Sequence, residues 1–212
     1  MSNRAATLSV VARRTYTRER RDRSADSVER VLEAAERLIR DDAFHLATME
    51  ELAAAAGVSR ATVFNRFGSK LGVLQALFTR AMESPEMEGI EAALELDDPV
   101  AALEATIEAS CVIWESSAFV HEQLQAIVTL EPDASALVDR QRKEQRADLL
   151  TLARRLSRAG QLRPGLSETR AAAALHMLTS LESFLSLRRH YGLSLRQTQE
   201  TIAELARTLL TS

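Results

Sequence analysis

A chain of 212 residues, 46% hydrophobic and 27% charged, suits one large domain or a small domain beside a larger one. Seven Gly and four Pro amid abundant Ala, Leu, Glu and Arg argue against a turn-rich β architecture and for an all-α fold. A single cysteine, Cys111, excludes an internal disulfide, and no stretch approaches the ~18 uncharged apolar residues of a membrane-spanning helix.

The net charge of −3 conceals an asymmetry. Residues 1–82 hold 14 Lys/Arg against 10 Asp/Glu, whereas 83–212 hold 13 against 20. A basic front on an acidic remainder aims one end of the molecule at phosphate. The apolar run TLSVVA near the start is too short for a secretory signal, so the cytoplasm is the expected location.

Residues 1–25 carry seven arginines without periodicity and read as a flexible basic arm. The same composition also fits a solvated tail with no site. Residues 26–41 read as the first helix, with Asp26 and Glu29 placed as a capping box. Val28, Val31, Leu32, Ala35, Leu38 and Ile39 recur at three and four and give it one wide apolar stripe. A short loop follows, with Phe44 and Leu46 expected to tuck inward.

The segment TMEELAAAAGVSRATVFNRFGSK, residues 48–70, has the form of two short helices joined by a tight turn. Leu52, Ala53 and Ala56 make the first apolar stripe, Gly57 supplies a turn residue that tolerates positive φ, and Val63 and Phe67 anchor the second helix. Thr48 caps the first helix and Ser59 the second. With Val63 and Phe67 inward, steps of 100° put Ala61, Thr62 and Asn65 on the outer face and Phe64 and Arg66 on its flanks. Arg60, in the first turn, is long enough to reach past the helix end. This is the pattern of a helix-turn-helix, whose second helix enters the DNA major groove. Ala61 permits close approach, Arg60, Thr62 and Asn65 suit base edges, and Arg66 suits phosphate.

Here the chain resembles the TetR family of bacterial transcriptional repressors. Thr48, Leu52, Ala53, Gly57, Val58, Ser59, Thr62, Phe67 and Lys70 stand at the family's spacing, and the resemblance runs from about residue 26 to 78. It departs at Phe64, where tyrosine is usual, and at Arg66, where histidine or tyrosine is usual. The resemblance implies that Thr48, Ser59, Phe64, Arg66 and Lys70 hold the DNA backbone. It also implies a linking helix after Ser69, a homodimer closed by the last two helices, and an effector whose binding lowers DNA affinity.

In the helix after Ser69, Gly72 is a weak point, costing ~1 kcal/mol relative to Ala. The acidic stretch 84–98, with room for one short helix over 86–96, reads as the boundary between a helix-turn-helix domain (26–82) and a larger helical effector-binding and dimerisation domain (83–212). Asp98-Pro99 starts the next helix, and Leu103, Ile107, Ser110, Cys111 and Trp114 line its inner face. Separate helices are expected over 119–130, from Asp133 to about 158, from Ser167 to about 190, and from Ser194 to about 210, about nine in all.

Leu178, Leu181 and Leu185 on one of the last two helices, and Ile202, Leu205 and Leu209 on the other, are the expected dimer interface; a monomer using them internally is the competing reading. Cys111, Trp114, Glu115, Phe119, His121, His176, Met177 and Phe184 mix bulky apolar groups with a few polar ones. Of these, Cys111, Trp114, Phe119, His176 and Met177 are the candidate effector pocket, although each also fits a plain core position.

No pair among the four histidines has metal-ligand spacing, and no nucleophile or phosphate-loop motif is present, so neither metal, cofactor nor catalysis is expected. The leading reading is a regulator, a repressor released from a palindromic operator in double-stranded DNA by a partly apolar small molecule. Two others stand beside it: a DNA-binding protein of the same fold with little sequence choice that acts through a protein partner, and an enzyme or carrier with a vestigial front end.

Overall fold

The computed structural model describes residues 25–128 and 132–212, the side chains of 127–138 excepted. All but the last residue of the expected basic arm, and the side-chain cap expected at Asp133, lie outside the described residues. The chain divides into two compact units, the first ending at Leu77 and the second beginning at Phe78. The division falls inside a helix, earlier than the boundary expected at residue 82.

In the first unit α1 is helical over residues 25–40. It is followed by α2 (Met49–Ala55), α3 (Arg60–Phe67) and α4 (Lys70–Met82), the last running on into the second unit's residues. Val31, Leu32, Ala35, Ile39, Phe44, Leu52, Ala53, Ala56, Val63, Val73, Leu74 and Leu77 are buried, the stripes the apolar periodicity marks. Leu46 is the exception. The turns after α1 and before α2 point it outward, leaving it 77% exposed, while Phe44 alone fills the interior.

The second unit contains α5 (Pro85–Glu95), α6 (Pro99–Val128), α7 (Pro132–Arg158), α8 (Glu168–Leu178), α9 (Leu181–Leu185) and α10 (Leu195–Leu210). Its core gathers Leu103, Ile107, Trp114, Leu152, Leu156, Leu175, Phe184 and Ile202, with α6 packed against α5, α7, α9 and α10. Arg155 of α7 donates to the carbonyls of Leu94 and Leu96, which closes the C-terminal end of α5. Among the described residues there are ten helices, an isolated bridge between Leu162 and Thr211, and no helix long and apolar enough to cross a membrane.

Two helix boundaries differ from expectation. The break expected before Phe119 is absent, and α6 runs unbroken for 30 residues. Three of its buried hydroxyls are satisfied without leaving the helix. Thr106, Ser110 and Ser117 each donate a hydroxyl to the carbonyl four residues back, at 2.7 Å.

The single helix expected from Ser167 to about 190 is instead broken at Thr179 and Ser180. Ser180 caps α9 by accepting from Ser183 N at 3.1 Å, and Trp114 of α6 donates its indole N–H to Thr179 O at 2.8 Å. A π turn over Ser186–His190 follows, tied to α6 by Arg188 on Glu115 and Arg189 on Glu122.

Candidate nucleic-acid interface and effector cavity

Local hydrogen bonds fix the helix-turn-helix. Thr48 closes a capping box: its Oγ1 accepts from Glu51 N at 3.2 Å, while Glu51 Oε2 accepts from Thr48 N at 2.8 Å. Those bonds stabilise the Glu51 carboxylate and hold its pKa below the ordinary value. Gly57 turns the chain at φ +63°, and its carbonyl accepts from Arg30 of α1. Ser59 Oγ accepts from Thr62 N at 3.1 Å and lies 2.8 Å from the Thr62 hydroxyl. At the start of α4, Ser69 Oγ accepts from Gly72 N at 3.1 Å.

The face expected to meet DNA is exposed at Ala61, Phe64, Asn65 and Arg66. Among the described residues no hydrogen bond or ion pair engages Asn65 or Arg66. Five other expected contacts, Ser59 among them, already have partners within the unit. Thr48 Oγ1 donates to Glu51 Oε2 at 3.0 Å and its N–H is used by the same carboxylate, so neither donor is left for a phosphate. Thr62 is half-buried with its hydroxyl against Ser59. Arg60 Nε lies 2.7 Å from Glu50 Oε1 of α2. Lys70 Nζ donates to His45 O at 2.9 Å and stands 5.0 Å from the Phe44 ring centroid. Partial burial lowers the Lys70 pKa, opposed by the nearby Glu51 carboxylate. Lys70 thus braces the loop before α2, with one of its N–H groups engaged there.

In the second unit a cavity of about 470 Å³ opens among the end of α4 and helices α5, α6 and α7. Phe78, Met82, Met87, Ile90 and Trp114 give it an apolar wall, and Glu91, Arg140, Glu144 and Asp148 supply charge. The Asp148 pKa is raised, first by burial and then by the Glu144 and Glu91 carboxylates. A smaller chamber of about 120 Å³, lined by His121, His176 and Glu182 among others, shares Trp114, Gln141 and Gln145 with it. The His121 ring meets Trp114 and Phe78 edge-on, with centroids 4.9 and 5.2 Å away.

Of the candidate pocket residues, Trp114 lines both chambers and His176 the smaller one. The other three do not line either. Cys111 is packed in the core, its thiol pushed up to about 12 by burial and by Glu108 and Glu115. Phe119 is half-buried, and Met177 is 62% exposed on the outer face of α8 that also carries Ala173 and His176. Met87, Glu91, Glu144 and Asp148 were missed: on their own helices they read as a domain boundary and a solvated face, and only packing brings them together. Among the described residues no group of three or more His, Cys, Asp and Glu could hold a metal ion.

The expected dimer set splits likewise. Leu178, Leu181 and Ile202 are buried within the chain's own core and present no surface, and Leu185 is half-buried. Leu205 and Leu209, one turn apart on α10, are exposed, as is Met177 on α8.

A capped, glycine-turned helix pair with a free polar face on its second member, followed by a helical unit enclosing a cavity, defines a DNA-binding transcriptional regulator with a ligand-sized chamber. Residues 31–77 match the family described as bacterial regulatory proteins, tetR family. The chain is similar to the HTH-type transcriptional repressor BepR of Brucella suis biovar 1 (strain 1330), 28% identical over 167 residues, 74% of this chain and 78% of that protein. Among solved structures it is similar to the TetR family regulator PfmR from Thermus thermophilus (25% identity, 84% of this chain and 91% of that one, TM-score 0.65). It also shares its fold with a putative transcriptional regulator from Saccharomonospora viridis solved in complex with choline (19% identity, 89% and 99% covered, TM-score 0.76). The family match covers the first unit's residues 31–77, and the similarity to BepR extends over 74% of the chain.

Proposed function

We propose that this regulator is a cytoplasmic homodimeric repressor, not an enzyme, that reads a palindromic operator through α3 and releases it when a small molecule occupies the cavity of the second unit. The observation that carries the reading is the α3 surface: Ala61 allows close approach, and Asn65 and Arg66 stand beside it with unengaged polar groups. One such helix covers only a few base pairs, and a two-fold pair set ~34–36 Å apart reads a longer, symmetric site. Exposed Leu205 and Leu209, with Met177, are the apolar surface proposed to meet the second copy.

In this reading Asn65 and Arg60 contact bases, with Arg60 exchanging Glu50 for DNA, while Arg66, Ser59 and the spare N–H groups of Lys70 hold the backbone. An effector acts by preferring the conformation that binds DNA poorly, and its influence equals that difference in affinity. The similarity to BepR, a repressor by name, and the choline held by the Saccharomonospora viridis protein support a repressor with a ligand site. Selection of binding sites from random double-stranded DNA tests the reading. A dyad-symmetric consensus is expected. Recovery of sequences without a shared motif would favour a protein that binds DNA with little sequence choice.

A further inference from the structure

The charge lining the larger chamber is unbalanced. Among the described residues that line it, Glu91, Glu144 and Asp148 face one cation, Arg140. Among the described residues none of the three carboxylates forms an ion pair, although Glu104, Glu115 and Glu122 elsewhere in the unit each hold an arginine. Glu144 and Asp148 stand one turn apart on α7, with Glu91 across from them on α5. All three are exposed at the mouth, and the apolar wall of Phe78, Met87 and Trp114 lies further in. The Asp148 pKa is raised first by burial and then by the Glu144 and Glu91 carboxylates, and a positive charge placed among the three would relieve that repulsion.

His121 lies beyond Trp114 and lines only the smaller chamber. It is only 6% exposed, and its Nδ1 lies 3.0 Å from Ser117 O. A carbonyl oxygen only accepts, so Nδ1 carries the ring proton and Nε2 presents a lone pair. Burial lowers the pKa of the ring, opposed by the hydrogen bond to Ser117 O. Nε2 has no hydrogen-bond partner among the described residues, and the ring lines the smaller chamber that shares Trp114 with the larger one. That nitrogen is closed off behind the wall of the smaller chamber, so the carboxylates at the mouth of the larger one are the acceptors open to a ligand.

We propose that the cavity takes an organic cation, a protonated amine on an apolar body, with its ammonium among Glu91, Glu144 and Asp148 and its apolar part against Phe78, Met87 and Trp114. This rests on the reading of the cavity as the effector site. It sets a class of ligand: anions of the same size are repelled at the mouth, and neutral analogues gain only the apolar contacts.

Trp114 is the chain's one tryptophan and lines both chambers, so its emission reports on this site. The full-length protein is titrated at low ionic strength with octylamine, 1-octanol and octanoate, which share one apolar body and differ in head group. Octylamine is expected to bind about tenfold tighter than octanol, and octanoate more weakly than either. The double variant Glu144→Gln/Asp148→Asn should weaken octylamine about tenfold and leave octanol within about twofold. Glu91→Gln, on a different helix, gives the same readout should the double variant not fold.

Octanoate binding as well as octylamine, or variants that leave octylamine unchanged, overturns the cation assignment while the cavity stays a ligand site. No change in Trp114 emission with any of the three overturns the cavity reading as well. Tight amine binding that leaves operator occupancy untouched upholds the ligand class and refutes its role in release.

Discussion

Gly72→Ala sets two physical effects against each other. Residue 72 lies in the first turn of α4, and helix propensity alone favours alanine there by ~1 kcal/mol. The packing opposes it. A Cβ on residue 72 would sit 2.9 Å from the carbonyl carbon of Phe67 and closer still to its oxygen. The obstacle is backbone at the junction of α3 and α4, so no side-chain rotation relieves it. Forced shifts of this kind typically cost about 1–3 kcal/mol, and an overlap with a carbonyl falls at the upper end. The expected net result is destabilisation of the helix-turn-helix by about 1–2 kcal/mol. Gly89→Ala is the internal control. In mid-α5 the added methyl meets only Ala109 Cβ at an ordinary 3.6 Å, so stabilisation by up to ~1 kcal/mol is expected. Urea unfolding followed by circular dichroism, on the parent and both variants, measures the two changes. If Gly72→Ala is as stable as the parent or more so, the close approach of residue 72 to Phe67 is wrong and propensity alone governs the site.

Three further outcomes follow from the described geometry. Asn65→Ala should relax the preference at one operator position, whereas Arg66→Ala should weaken all sequences and lower the salt slope of binding by about 1, as read by fluorescence anisotropy across a salt series. His121 is held below its ordinary pKa by burial, so the unfolded chain takes up a proton before the folded one does. Stability is therefore complete above about pH 6.5 and falls as the pH drops toward the lower folded value, by up to ~1.4 kcal/mol per unit. Denaturant unfolding across pH 5–8 should show this component, and His121→Gln should lack it. Cys111, buried and with its thiol pushed up to about 12, should resist a thiol reagent in the native protein and react fully once unfolded.

What the sequence made legible was local. The Thr48, Ser59, Ser167 and Ser194 caps and the Gly57 turn depend on contacts within a few residues, and each stands where the pattern put it. The free face of α3 followed from the helical step angle. Features that depend on distant partners were hidden. The break at Thr179 and Ser180 relies on an indole 65 residues away along the chain, so an Ala- and Leu-rich segment read as one helix. The engagement of Arg60 by Glu50 and of Lys70 by His45 depends on how α2 packs, which residue identities alone do not state. The chamber was least legible of all. Glu91 belongs to an acidic stretch and Glu144 to a long polar face, and neither signals a wall until α5, α6 and α7 are side by side.

The pairing of Arg60 with Glu50 gives the protein a threshold. Because the guanidinium's Nε already meets a carboxylate, a stray phosphate offers that donor little more than a change of one anion for another. A guanine edge, with two acceptors in the plane of the fork, offers a better fit. On the proposed reading, in which Arg60 exchanges Glu50 for a base edge, that exchange would temper adhesion to arbitrary duplex, and selectivity at that position would begin before the protein meets its site.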